Sequence, residues 1–448
     1  MLRSCLAALL VSSVPVVHAQ ATVEDFAARR ADALLQLSGS LLVVPARADA
    51  KTLTESGLRQ ADDFYYLTGI EHALRGLLVL DGTLGESHLF VPPPDGAPLP
   101  GLALAPGPET AARHQLDGAS LWDDFPDFID ARLATQPDLE LRIQEQAPLI
   151  RSSFPDAPPG MASLFELATA QRHAFAARWP DASVTDGGNL LWSLRSIKRP
   201  EEVETIRKAS RSSVAAVRAV LESIAPGQTQ RQAEATVIAA CLNSGADGIA
   251  WWPWVMSGPN AAFPRTFESF STYRHLNRTM QTGELARVDV GCAADHYTSD
   301  VGRTVPVSGT WTDDQREAWD LLVAAYRAGL VVIRDGVQPE QIRDAFRAEV
   351  RSRQPDLVTS LGRQTASALL NDDTGLSWHL HHVGINPSER SAGAAPLRTG
   401  MVIAYEPMVT VDGFGFYLED LLRITDDGYE LLTPGLPTTA DEIELAMQ

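Results

Sequence analysis

Cysteine is scarce in this chain: 448 residues contain three. Cys5 lies in an N-terminal stretch considered below, which leaves Cys241 and Cys292, too few for a disulfide framework in a protein of this size. Both sit in apolar stretches and read as buried free thiols. Long hydrophobic runs are also missing beyond residue 19. No later segment approaches the roughly 20 uninterrupted apolar residues that span a bilayer. Positive charge is short too, with 37 Lys and Arg against 57 Asp and Glu and a formal charge of −20. A field of that sign repels phosphate backbones and anionic lipid, which argues against nucleic acid or a membrane surface as partner. Solubility accounts for most of these charges. Neither internal repeats nor low-complexity tracts are evident.

What is present begins with the first nineteen residues. Arg3 supplies a positive start, Ala7 to Val17 is apolar apart from Ser12, Ser13 and Pro15, and Val17-His18-Ala19 has the small-x-small form of a cleavage site. The stretch reads as a signal peptide over residues 1–19 and predicts export, to the periplasm or the medium, with no membrane span in the mature chain. The whole chain is 45% hydrophobic and 21% charged. It is longer than the roughly 250–300 residues at which one core stops growing, so two domains are expected, over 20–185 and 186–448.

The fold class expected is α/β (α+β). Ala21 to Leu35 has helical character, and short strands are predicted at Leu41–Val44, Gly76–Leu80 and His88–Val91, the last two joined through the turn dipeptide Asp81-Gly82. Pro92 to Gly96 and Ser153 to Gly160 break the chain, the second before a helix at Ser163–Arg178. Pro200-Glu201-Glu202 opens a helix well, with proline early and acids in the first turn, and Pro226-Gly227 ends it. Further helices are predicted at Gln230–Asn243, Asp313–Gly329 and Pro339–Arg353, with strands at Ala286–Val290, Met401–Tyr405 and Leu421–Ile424.

The second half carries the chemistry. Asp289 stands in the strand-like run Leu285 to Gly291, Asp300 follows eleven residues later, and Glu406 and Glu419 sit at the ends of apolar runs, with His381 between. An acid in an apolar strand is expensive to bury unless it is paired, hydrogen-bonded or metal-bound. Four of them with a histidine make a metal site plausible, the alternative being a set of structural acids. Four carboxylates and one imidazole are a hard donor set suited to Mn²⁺, Co²⁺, Fe²⁺ or Zn²⁺. Two such ions about 3.5–4 Å apart would share bridging carboxylates, orient a carbonyl and generate hydroxide at neutral pH.

Asp289-Val290-Gly291-Cys292, His296 to Thr304, His381-His382-Val383-Gly384-Ile385, Glu406-Pro407 and Glu419-Asp420 together resemble the ligand segments of the pita-bread metallopeptidases, family M24, in order and in residue type. Upstream, Arg59 to Gly69 and Leu194 to Lys198 are similar to the aminopeptidase P and prolidase branch. The resemblance implies a creatinase/aminopeptidase P-like N-terminal α/β domain followed by a pita-bread catalytic domain. It also implies two divalent ions, with Mn²⁺ first among the candidates, held by Asp289, Asp300, His381, Glu406 and Glu419. Asp300 and Glu419 would bridge, and Glu406 would shuttle the proton. The run Phe64 to Leu67, taken alone, reads as a buried strand, because aromatics favour half-buried sheets.

Positions around the ligands depart from the family. Thr272 or Arg265 falls where a histidine is usual, with His275 near enough to substitute. Ser377 and Ser388 stand where two flanking histidines are usual, and Tyr417 replaces a common arginine. His379 and His382 are the available compensations. In a strand, His379 shares the face of His381 while His382 points the other way and reads as a hydrogen-bonded structural histidine. Trp251, Trp252 and Trp254 read equally as an apolar pocket wall or as core.

The resemblance therefore implies an Xaa-Pro aminopeptidase or dipeptidase acting on a peptide or other small substrate through metal-bound hydroxide, and a homodimer is compatible with it. A metal-dependent hydrolase of a non-peptide ester, amide or phosphoester is the alternative. A non-catalytic binding protein comes third.

Overall fold

The structure is a computed structural model that describes residues 20–48, 59–94, 103–145, 167–262, 277–371, 378–391 and 393–448. The expected signal peptide and the Ser153 to Gly160 break lie outside these residues. Among the described residues, no helix is long and apolar enough to cross a membrane.

The first element among the described residues is the helix Val23–Gln36, capped by Thr22 through a reciprocal bond with Asp25. A six-stranded sheet follows, built from β1 (Ser40–Pro45), β2 (Leu77–Asp81), β3 (Glu86–Val91), β4 (Gly118–Leu121), β5 (Glu140–Ile143) and β6 (Ser183–Asp186) in the order β4-β3-β2-β1-β5-β6. β1–β2 and β2–β3 pair antiparallel, whereas β3–β4, β1–β5 and β5–β6 pair parallel. Every residue of β1 is buried, as expected for a strand covered on both faces.

The aromatic run did not form the strand that β propensity favours. Asp62–Thr68 is a helix with Asp62 and Asp63 in its first turn and Gly69 in the left-handed conformation at its end. Acids at the N-terminus and a glycine stop outweigh the sheet preference of three aromatics. Phe64, Tyr65 and Tyr66 are buried all the same. A Cβ on Gly69 would stand 2.2 Å from the Phe26 ring, so the stop also needs glycine for space.

The second half is a larger sheet wrapped by helices. The helix Pro200–Ser223 leads into Gln230–Asn243. β7 (Gly248–Ile249), β10 (Cys292–Ala294) and β11 (Tyr297–Thr298) form a small sheet. β8 (Trp254–Ser257), β9 (Leu285–Val290), β12 (Val301–Pro306), β13 (Trp378–His382), β14 (Arg390–Ser391), β15 (Val402–Val411) and β16 (Phe414–Ile424) run in the order β14-β13-β15-β16-β12-β9-β8, with β17 (Tyr429–Leu431) on β16. The helices Asp313–Val332, Pro339–Arg353 and Ser360–Leu370 cover it. β15 and β16 are much longer than the runs read from sequence. Glu406 and Glu419 therefore sit inside strands, not at their ends.

Several contacts join the halves, among them Arg29 with Glu201 at 3.0 Å. The turn between β10 and β11 places Asp295 and His296 at φ 45° and 67°, the geometry of a tight hairpin turn. Tyr65 stacks on His296 with ring centroids 3.9 Å apart, and Arg59 donates to the His296 carbonyl at 3.1 Å. Elsewhere Arg195 bonds Asp63 at 2.8 Å and Glu389 at 2.5 Å, and Lys198 bonds Glu389 at 2.9 Å.

The two cysteines are not free thiols. Cys241 on Gln230–Asn243 and Cys292 on β10 form a disulfide with Cα atoms 5.7 Å apart. The packing of the helix against the small sheet brings them within bonding range, a long-range meeting that apolar flanks give no hint of.

Candidate metal centre

One face of the large sheet gathers the acids. On β16 the alternation of side chains puts Tyr417 and Glu419 on one face and Leu418 and Asp420 on the other. On β9 Arg287 and Asp289 share a face by the same rule. Gly302 of β12 pairs with Asp289 on one side and Glu419 on the other. A Cβ at Gly302 would stand 2.0 Å from the Tyr417 ring, so only glycine lets these strands carry their acids around that ring. Across β15 and β16, Tyr405 pairs with Asp420 and Met408 with Tyr417. The register between sets Glu406 opposite Glu419, and the pairing lapses there because Pro407 has no N–H to give. On β13 His379 lies opposite Glu406, and His381 opposite Ala404.

The side chains converge. Donor atoms of Asp300, His381 and Glu419 lie within 4.8 Å of one another. His381 Nε2 is 3.3 Å from Glu406 Oε1, 3.7 Å from Asp300 Oδ2 and 3.9 Å from Glu419 Oε1. All four carboxylates are buried, Glu419 completely. Asp300 Oδ1 and Glu419 Oε1 are buried with no hydrogen-bond partner. Burial, then the neighbouring carboxylates, push Asp300 and Glu419 well above the ordinary carboxylate range. Burial raises Asp289 as well. Glu406 moves the other way: burial opposes ionisation, but hydrogen bonds from His379 and His381 hold it below the usual range. Burial likewise opposes the charge on His381, yet its bond to Glu406 lifts it to about 9. Oxygen atoms facing one another without donors, around one imidazole, fit a hard divalent cation.

Each candidate of the sequence can now be placed. Asp300, His381, Glu406 and Glu419 come together, and Asp289 joins the same face but is committed elsewhere. Its Oδ2 accepts from Arg287 Nη2 at 2.8 Å, and it is not among the three convergent donors. His379 reaches Glu406 through Nδ1 at 3.3 Å and is 31% exposed, on the face of His381 as strand alternation requires. His382 points away, buried edge-on to Trp192 at 4.8 Å. Its Nδ1 has no hydrogen-bond partner, so a buried neutral ring replaces the hydrogen-bonded one expected. Burial first, then Lys198, depress it to about 3. Ser388 is exposed in the turn after β13, its amide on Asn386 Oδ1. Tyr417 is buried and donates to Glu419. Thr272, Arg265, His275 and Ser377 lie outside the described residues. Of the tryptophans, Trp252 is exposed under Arg231 and donates to Glu234, while Trp251 and Trp254 are half-buried. None of the three is a closed core residue.

Sequence reading missed Arg287. The signal was there: it precedes Asp289 by two in a strand, hence on its face, and charged residues in apolar strands demand partners. Asp420, next to Glu419, proves to be structural. On the opposite face it accepts from Arg303 at 3.0 and 3.1 Å, from Tyr326 at 2.7 Å and from Thr433 at 2.9 Å.

Residues 204–426 match metallopeptidase family M24, and the chain belongs to that family. Within it, the likeness is to the aminopeptidase P and prolidase branch. The chain is 27% identical over 248 residues to an Xaa-Pro dipeptidase of Pyrococcus furiosus, covering 55% of this chain and 65% of that protein. It is 27% identical over 289 residues to the Xaa-Pro aminopeptidase of Escherichia coli, covering 59% and 62%. These matches span less than two thirds of either relative. A probable Xaa-Pro aminopeptidase of Fusarium vanettenii matches at 25% over 378 residues, covering 82% and 74%. The fold extends further. A putative aminopeptidase P of Bacillus anthracis superposes with a TM-score of 0.76 at 19% identity, over 95% of this chain and 98% of that one. The aminopeptidase PepP of Pseudomonas aeruginosa gives 0.72 at 23%, over 96% and 98%. Both halves of the chain therefore have the aminopeptidase P fold.

Proposed function

We propose that this chain is an exported, two-metal peptidase that releases the N-terminal residue from peptides with proline second, or splits an Xaa-Pro dipeptide. The observation that carries the reading is the convergence of Asp300, His381 and Glu419 within 4.8 Å, with Glu406 against His381 and two carboxylate oxygens buried without donors. The residues that would hold the ions are Asp289, Asp300, His381, Glu406 and Glu419, with Mn²⁺ as first choice for so oxygen-rich a set. When bound, such ions supply Lewis acidity toward the scissile carbonyl and a water acidified toward neutral pKa.

The chain's own residues then orient and exchange protons. Glu406 takes hydrogen bonds from His379 and His381 on one oxygen, which fixes its carboxylate and leaves the other oxygen to accept a proton from water and return it to the leaving amine. His379, half open to solvent, lies where a substrate would meet Glu406. The Pyrococcus relative is an Xaa-Pro dipeptidase and the Escherichia relative an Xaa-Pro aminopeptidase, which supports the Xaa-Pro specificity. Export rests on the N-terminal stretch and on the Cys241–Cys292 disulfide, which persists in oxidising compartments.

Incubating the Mn²⁺-loaded protein with Xaa-Pro dipeptides and Xaa-Pro-Xaa peptides tests the reading; release of the N-terminal residue is expected. Intact peptides together with hydrolysis of a small ester or phosphoester would transfer the assignment to a non-peptide hydrolase. The exposed Ser388, which stands where a flanking histidine is usual, favours that second reading.

A further inference from the structure

Of the two aspartates in the centre, only Asp289 lies within a strand ladder. β9 and β12 pair from Leu285 with Pro306 to Val290 with Val301. Ser299 and Asp300 come just before the last of these pairs and belong to no strand. Between the two acids the chain leaves the large sheet, makes the β10–β11 hairpin of the small one, and returns. Side-chain direction alternates along an extended chain, so a slip of one residue at the return would turn Asp300 out of the centre.

Ser213, on the helix Pro200–Ser223, bridges that return. Its Oγ accepts from the Cys292 N–H at 2.7 Å and shares a hydrogen bond with Ser299 Oγ at 2.5 Å. The Ser299 N–H in turn donates to the Cys292 carbonyl at 3.2 Å. One hydroxyl thus joins the residue three beyond Asp289 to the residue just before Asp300. The tie continues to the histidine strand: Thr298 donates to the Gly384 carbonyl through its N–H at 2.8 Å and through Oγ1 at 2.9 Å, three residues past His381. Ser213, Cys292, Thr298 and Ser299 are all 0% exposed. Removing the Ser213 hydroxyl there would leave a buried N–H on one side and a buried hydroxyl on the other without this partner, which costs more than an ordinary surface bond. Cys292 is also tied to the next helix by its disulfide to Cys241, so the base of the hairpin is held from two helices.

We propose that Ser213 is a positioning residue for the metal centre: by bonding both Cys292 and Ser299 it fixes where the chain re-enters the large sheet, and hence where Asp300 stands relative to Asp289 and His381. The inference rests on the metal-centre reading above. Ser210, one turn earlier on the same helix, provides the comparison. It is also 0% exposed, yet its Oγ has no hydrogen-bond partner. Truncating either serine removes one buried oxygen from the same helix, but only the loss at Ser213 breaks a bond to the ligand segments.

Metal binding by the full chain separates the two serines. Chelator-stripped protein is titrated with Mn²⁺ by calorimetry, and the absorption spectrum of bound Co²⁺ reads the geometry of the site independently of turnover. Ser213→Ala should weaken Mn²⁺ binding about tenfold, the lower end of what losing a group behind a metal's ligands costs, and should alter the Co²⁺ bands. Ser210→Ala should stay within about threefold of wild type, well short of that effect, and keep the wild-type spectrum. Ser299→Ala breaks the same link from its other end while Ser213 keeps its bond from Cys292. It should weaken binding in the same direction, and it decides the matter if Ser213→Ala does not fold. The double variant Ser213→Ala/Ser299→Ala should bind about as well as Ser213→Ala alone, because the two changes remove one shared bond. Serine variants at 213 and 299 that bind metal like Ser210→Ala, or a double variant in which the two losses simply add, would overturn the role of Ser213 and leave the metal centre standing. A wild-type chain that binds no Mn²⁺ would overturn the metal centre itself.

Discussion

The buried charges around Glu389 and those around Glu419 are built on opposite principles. Around Glu389, carboxylates meet cations: Arg195 reaches Asp62, Asp63 and Glu389, and Lys198 reaches Glu389. Burial opposes ionisation of Glu389, but Arg195 and Lys198 hold it down to about 2. Around Glu419, four carboxylates face one another, and burial with mutual repulsion drives Asp300 and Glu419 up. The same contrast appears between neighbours on one strand. Asp420 is fully satisfied on its face of β16, while Glu419 Oε1 on the other face has no donor. Paired charges fasten the two halves of the fold together. Unpaired acids are costly to the fold, and that cost makes sense where a cation completes them.

The largest expected effect breaks the centre. Glu419→Gln should lower turnover of an Xaa-Pro substrate roughly 10³-fold or more, on the scale of losing a principal electrostatic group. In chelator, denaturant unfolding should find that variant at least as stable as wild type, because a repelling charge has gone. A clear loss of stability there would mean that the acids hold the fold. Glu389→Ala should do the reverse, costing about 3–5 kcal/mol by leaving the buried Lys198 without a carboxylate and Arg195 with only Asp62 and Asp63, with Mn²⁺ binding retained in whatever fraction stays folded. Unfolding curves and metal content on the same samples decide it.

Replacing Cys241 and Cys292 together by serine tests a covalent tie near β9. The bond spans 51 residues, and its loss should cost roughly 2–4 kcal/mol, read as a lower denaturation midpoint that reducing agent reproduces in wild type. The smallest effect is acid sensitivity at the hairpin. Burial, then Arg59, lower His296 from 6.5 to about 4. Its folded pKa lies below the unfolded one, so the unfolded chain takes the extra proton. The stability it contributes is complete above about pH 6.5 and falls as pH drops toward 4, on the order of 2 kcal/mol by pH 5. Glu389 adds a further loss only below about pH 4.5, as pH falls toward 2. A His296→Phe variant whose stability declines as steeply as wild type between pH 6.5 and 5 would remove His296 from that account.

Much of the fold was legible because its signals are local. Proline and acids at Pro200–Glu202 mark a helix start that the structure reproduces, and the helices expected from Gln230 and Asp313 begin at those residues. Asp289, Asp300, His381, Glu406 and Glu419 were legible because acids in apolar strands are conspicuous. Phe64 to Leu67 misled because strand preference was weighed without the flanking Asp62, Asp63 and Gly69. Glu406 and Glu419 were put at strand ends because apolar runs were read as strands, whereas the ladder continues through polar residues once neighbours supply the pairing.

By itself, then, the sequence determined which residues could bind a hard cation and which segments would be helical, since residue chemistry and helix ends depend on near neighbours. Tertiary structure alone decided that Asp300, His381, Glu406 and Glu419 converge while Asp289 is held by Arg287, and that Cys241 meets Cys292. Those outcomes depend on strand register and helix packing between segments dozens of residues apart, and a shift of one residue would turn each side chain to the opposite face.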